Sequence, residues 1–146
     1  MHLEYIKNKH ETLAIILKKT YNNQGISFFT AETDSQQLGY MNRPADYIIT
    51  PHRHNIVTRE VHYTQEVLFI KSGKVRVDFY NNTQDYITSR VLHAGDVILL
   101  SDGGHGFKML EPSEIIEVKQ GPYCGEQDKV RFDPVDESEI NYDQGI

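Results

Sequence analysis

A single cysteine, Cys124, is the chain's entire thiol inventory, so no internal disulfide can staple it. No charged segment followed by an apolar one opens the chain, and together these absences make a reducing cytoplasm the expected setting. Long apolar runs are missing as well. The longest, such as Val97-Ile98-Leu99-Leu100, are strand-sized and far below the roughly 20 residues that span a bilayer, so no membrane partner is expected. Basic residues are few, 15 against 21 acidic, and scattered. A net charge of -6 without a basic cluster lacks the footprint that phosphate backbones select, which removes nucleic acid from the expected partners. Repeats, low-complexity tracts and linkers are absent too, and 146 residues can bury roughly 70% of the unfolded surface. The expectation is a single domain over residues 1–146, with its core at about 26–120 and looser ends.

What the chain has, in place of helical periodicity, is a series of short strand-like runs. Leu13-Ala14-Ile15-Ile16-Leu17 reads as a strand, although five apolar residues alone do not settle the period. Further runs cover 26–31, 37–42, 46–54, 59–70, 74–80, 86–92, 97–100, 107–110 and 115–119. Turn residues separate them at Asn22-Asn23-Gln24-Gly25, Lys71-Ser72-Gly73, Asn81-Asn82-Thr83-Gln84-Asp85 and His93-Ala94-Gly95-Asp96. The runs on either side of Gly73 are expected to form a β-hairpin. Within the second, Val75, Val77 and Phe79 alternate with Arg76, Asp78 and Tyr80, predicting one buried face and one wet face. Residues 101–106 read as a glycine-rich loop. Strands at this spacing predict an all-β sandwich or barrel, with a jelly roll leading.

Four residues point to one metal site. His52 and His54 lie two apart on a predicted strand and would project to the same face. Glu66 stands in the apolar run Gln65-Glu66-Val67-Leu68-Phe69-Ile70, where a buried charge is costly unless paired or coordinated. His105, within Asp102-Gly103-Gly104-His105-Gly106, supplies a third imidazole. A mixed nitrogen and oxygen donor set suits one divalent transition metal: Fe, Mn, Ni or Zn. Each residue also has a plainer reading: hydrogen-bonded strand histidines, an exposed first strand position, a loop histidine. His2, His10 and His93 read as surface residues, Cys124 as a small packing residue, and Gly103-Gly104 as a tight turn rather than a phosphate cradle. Asp133, Asp136, Glu137 and Glu139 read as a solvated acidic terminus. Arg59, Arg76, Lys108, Tyr123 and Arg131 are available to an anionic sugar phosphate.

These motifs resemble those of the cupin superfamily. Glu66, six residues and Gly73 match the end of the first cupin motif, and Pro51-His52-Arg53-His54 looks like its proline-preceded ligand pair. The family keeps three or four residues between that pair and the glutamate, whereas eleven separate His54 from Glu66 here, so a longer loop is implied. Glu60-Val61-His62 has the usual gap but one imidazole, which leaves His62 as a fallback ligand. Gly95, the Asp96-Val97-Ile98-Leu99-Leu100 run, Gly103 and His105 resemble the second motif, with Ser101 at its usual proline and Met109 where an asparagine often stands. Gly121-Pro122-Tyr123-Cys124-Gly125-Glu126-Gln127-Asp128-Lys129-Val130-Arg131 is similar to the closing segment of cupin-type mannose-6-phosphate isomerases. The chain also resembles small cupins associated with polysaccharide or nucleotide-sugar pathways.

The resemblance implies a cupin-type double-stranded β-helix whose cavity holds the metal between His52, His54, Glu66 and His105. Metal-assisted isomerisation or epimerisation of a small carbohydrate-derived metabolite follows as the expected activity, with Glu60 or His62, on the predicted strand of Glu66, moving the proton. The alternatives are a non-catalytic sugar or metabolite sensor and an Fe(II) dioxygenase. A homodimer is expected from the resemblance and from sheet edges that need cover.

Overall fold

Most of the short apolar runs become strands in the computed structural model, which describes residues 1–143. They are β1 (Leu3–Asn8), β2 (Glu11–Leu17), β3 (Gly25–Phe28), β4 (Gly39–Asn42), β5 (Glu66–Ser72), β6 (Lys74–Tyr80), β7 (Tyr86–His93), β8 (Val97–Leu100), β9 (Gly104–Met109) and β10 (Glu114–Lys119). Two short 3₁₀ turns, Gly125–Asp128 and Glu137–Glu139, complete the regular structure of the described residues. The chain is all-β, and no helix of the described residues is long and apolar enough to cross a membrane.

Two compact units are distinguishable: Met1–Tyr21 with the chain from Thr64 onward, and Asn22–Tyr63. The first holds a five-stranded antiparallel sheet in the order β1-β2-β8-β5-β10 and a three-stranded one in the order β7-β6-β9, neither closed into a barrel. One apolar core joins them. Ile6, Leu13, Ala14, Ile16, Leu68, Ile70, Ile98 and Leu100 come from the larger sheet, and Val75, Val77, Phe79 and Leu92 from the smaller. The core therefore begins at Ile6 rather than near residue 26, because the N-terminal β1–β2 hairpin is built into the larger sheet through β8. That pairing also decides β2 as a strand, which its five apolar residues left open.

The junction at Gly73 is a corner rather than the expected hairpin. β5 pairs with β8 and β10, whereas β6 pairs with β7 and β9, so the chain changes sheet across one residue. Gly73 has φ +86°, and a Cβ there would lie 2.3 Å from the Pro112 carbonyl oxygen and 2.2 Å from Ser113 Oγ. Only glycine combines that conformation with that close approach. At the other end of β7, Asp96 anchors its turn by accepting from the His93 and Lys19 backbone N–H groups at 2.9 Å each and from Lys18 Nζ at 3.2 Å.

The outer face of β6 is not wet. Arg76, Asp78 and Tyr80 are all buried, because residues 132–143 lie across the smaller sheet as a strap. Phe132 meets the Tyr80 ring edge-on at 4.9 Å, and Tyr80 Oη accepts the Val135 N–H at 3.0 Å. Asn141 O accepts the Ser89 N–H at 2.8 Å. Glu137, read from the sequence as solvated, accepts from Arg76 Nη1 and from Lys108 Nζ, both at 2.7 Å.

The second unit consists of the antiparallel β3–β4 hairpin followed by irregular backbone from residue 43 to 63. The strand predicted over 46–54 does not form, and the one predicted over 59–70 begins only at Glu66 and ends at Ser72. Alternation stabilises a strand through cross-strand neighbours and a buried face. Ile48 is 80% exposed and no ladder pairs this stretch, so neither condition is met.

Candidate functional site around Glu66 and His105

Two facing strands from opposite sheets bring Glu66 and His105 together. Glu66 opens β5 and shares its inward face with Leu68 and Ile70. The sequence placed His105 in a loop, but β9 already begins at Gly104. His105 stands directly across the ladder from Phe79, a core residue, and therefore points inward with it. His105 Nε2 lies 3.1 Å from Glu66 Oε2, with the carboxylate nearly enclosed and the imidazole about a third open. Phe107, next on the same face, holds its ring 5.4 Å from the imidazole.

A third group completes the cluster. Lys119 pairs with Glu66 across the β5–β10 ladder and shares its face, which brings Nζ to 3.6 Å from Glu66 Oε1 and 3.8 Å from Glu117 Oε1. The hydrogen bond with His105 holds the Glu66 carboxyl below its usual 4.5 against the opposing effect of burial, and the Glu117 contact and the Lys119 charge push the same way. A carboxylate with a depressed folded pKa stabilises the fold above its unfolded value, and that contribution is lost as the pH falls through the folded one. The stability difference between the wild type and Glu66→Gln is therefore expected to be full above pH 4.5 and to shrink below it. Urea unfolding of both proteins along an acid series checks this; a constant difference would refute the assignment.

The remaining sequence candidates lie elsewhere in the chain. His52 and His54 belong to the Asn22–Tyr63 unit, with their rings edge-on at 5.4 Å and His52 Nδ1 at 3.0 Å from Thr50 O. Glu60 Oε1 and His62 Nε2 lie 3.5 Å apart with both side chains well exposed, and they share no strand with Glu66 because β5 starts at that residue. Among the described residues, no group of three or more His, Cys, Asp and Glu side chains is gathered as a metal cage. Arg76, Lys108 and Arg131 are occupied by Glu137 and Glu126. Cys124 is exposed rather than packed. Lys119 and Glu117 were missed because their place beside Glu66 depends on which strand pairs with β5, and local alternation carries no such information.

A carboxylate oxygen and an imidazole nitrogen are donors that divalent transition metals accept, but only these two are gathered, 3.1 Å apart at hydrogen-bond distance. Comparison with known protein families, curated proteins and solved structures finds no match to this chain.

Proposed function

We propose that this chain is a small cupin-type jelly roll that binds one divalent transition metal at Glu66 and His105 and isomerises or epimerises a small carbohydrate-derived metabolite. The observation that carries the reading is the inward-facing Glu66–His105 pair, which brings a carboxylate oxygen and an imidazole nitrogen from opposite sheets within 3.1 Å of each other. Support for the jelly-roll winding comes from the chain path, since β7, β8, β9 and β10 alternate between the two sheets. The carbohydrate class rests on the tail's likeness to sugar-phosphate isomerases. When bound, the metal supplies Lewis-acid polarisation of a carbonyl or hydroxyl oxygen. Glu66 contributes a carboxylate kept ionised by its neighbours, His105 contributes a nitrogen that must be unprotonated to ligate, and Phe107 gives the imidazole an apolar flank. The sequence nominates His52 and His54 as the other donors and Glu60 or His62 for proton transfer.

Elemental analysis of metal-loaded protein tests the reading, with His105→Ala and His54→Ala variants whose folding is verified by circular dichroism. The wild type is expected to hold close to one equivalent and both variants less than a tenth of that. Metal retained in His54→Ala removes the histidine pair from the site; a wild type that stays empty after loading overturns the metal reading. A metal-free binding module is then the alternative, favoured by the gathering of two donors rather than three.

A further inference from the structure

β10 is an edge strand of the larger sheet, and its far side is open. It pairs with β5 alone, and among the described residues no backbone hydrogen bond reaches it from the other side. Antiparallel ladders alternate bonded and non-bonded residue pairs, and the Gln120 N–H donates to Gln65 O at 3.0 Å. Counting back from that bond, Ile116 and Val118 direct their backbone groups to β5, so Glu117 and Lys119 direct theirs away from the sheet. Such a row of free N–H and C=O groups is a template for another strand. The strand is β-branched on its outer face, where Ile116 is 52% and Val118 60% exposed, with Phe69 of β5 beside them at 40%. Neither glycine nor proline interrupts it.

We propose that β10 pairs antiparallel with β10 of a second copy around a two-fold axis at Val118, joining the two larger sheets into one. The charges select both the occupant and the register. In such a symmetric pair every contact is made twice. With the axis at Val118, Glu117 stands directly opposite the partner's Lys119, on residues whose free backbone groups also meet. The two Val118 side chains then face each other, and Ile116 lies opposite the partner's Gln120. Moving the axis to Glu117 or Lys119 sets like charges against each other, and moving it to Ile116 leaves both without an opposite charge. Charges that commonly protect an edge strand from pairing here exclude the wrong registers. The pairing goes beyond the metal reading and does not depend on it, since it uses only the backbone and flank of β10.

Sedimentation equilibrium over a dilution series tests the pairing with the wild type, Glu117→Lys, Val118→Lys and Glu114→Lys, thermal unfolding confirming that each is folded. The wild type is expected to reach twice the chain mass. Glu117→Lys sets a lysine against the partner's Lys119 twice, Val118→Lys sets two ammonium groups on the axis, and each should weaken the dimer about tenfold or more. Glu114→Lys makes the same charge change outside the paired stretch and should leave the affinity within about twofold. Disulfide trapping reads the register separately, in a Cys124→Ser background that removes the exposed native thiol. Val118→Cys should cross-link on mild oxidation, because facing residues of a non-bonded pair lie about 4.5 Å apart at Cα, within disulfide reach, and Ile116→Cys should not. A wild type at the mass of one chain throughout the series overturns the proposal. A dimer left intact by Glu117→Lys and Val118→Lys, or trapped through Ile116→Cys instead of Val118→Cys, overturns it by placing the interface or its register elsewhere. If Val118→Lys fails to fold, Glu117→Lys and the two cysteine variants decide.

Discussion

Arg76→Ala is expected to lower the unfolding free energy by about 3–5 kcal/mol, the cost of breaking a buried ion pair from one side. Arg76 and Asp78 are two apart on β6 and share its outer face, each only 6% exposed at the side chain. The guanidinium donates to Asp78 from Nε at 2.8 Å and Nη2 at 3.0 Å, and to Glu137 of the strap from Nη1 at 2.7 Å and Nη2 at 3.1 Å. Ser89 Oγ donates to the same aspartate at 2.5 Å. With the arginine gone, Asp78 keeps one neutral donor for a buried charge and Glu137 is held to the sheet by Lys108 of β9 alone. These contacts keep the Glu137 carboxyl at about 2, well below 4.5. The clasp is therefore complete at neutral pH, weakens as the pH falls through that low value, and survives ordinary acid. Urea denaturation of the two proteins measures the loss. A difference under about 1 kcal/mol, in the range of exposed ion pairs, would mean that the strap does not seal this face.

Gly103→Ala is the second large effect, with an expected loss of about 2–5 kcal/mol. Gly103 has φ +70°, where a Cβ costs about 1–2 kcal/mol. That Cβ would also lie 2.3 Å from the Tyr80 carbonyl oxygen and 2.8 Å from Leu13 Cδ2, and overpacking of this kind adds about 1–3 kcal/mol. Relief requires moving the start of β9, which carries His105 two residues on, so the His105–Glu66 contact should loosen as stability falls. Gly106→Ala is the matched control: its nearest neighbour would be Tyr80 Cε2 at 4.0 Å, and a change within about 0.5 kcal/mol is expected. Equal effects at the two glycines in thermal and urea unfolding would defeat the argument.

Much of the fold is legible wherever the local pattern and its tertiary surroundings agree. Val75, Val77 and Phe79 read as inward-facing and are the centre of the core, and the Asn81–Asp85 and Gly95 turns form where their residues predict. Reading fails where the deciding partner is distant. Arg76, Asp78 and Tyr80 look like a wet face until a strap some sixty residues later covers them. Residues 46–54 alternate as well as any strand in the chain, yet no ladder receives them.

Sequence alone carried the β character, most of the turn positions and Glu66 as a charge that is costly in an apolar run. These depend on period-two patterning, backbone preference and the cost of a buried charge, all of which act over a few residues. Tertiary structure decided the corner at Gly73, the strap over β6, and the meeting of Glu66 with His105 and Lys119. Those depend on which strands become neighbours, a choice made by core burial and ladder pairing between segments far apart in the chain.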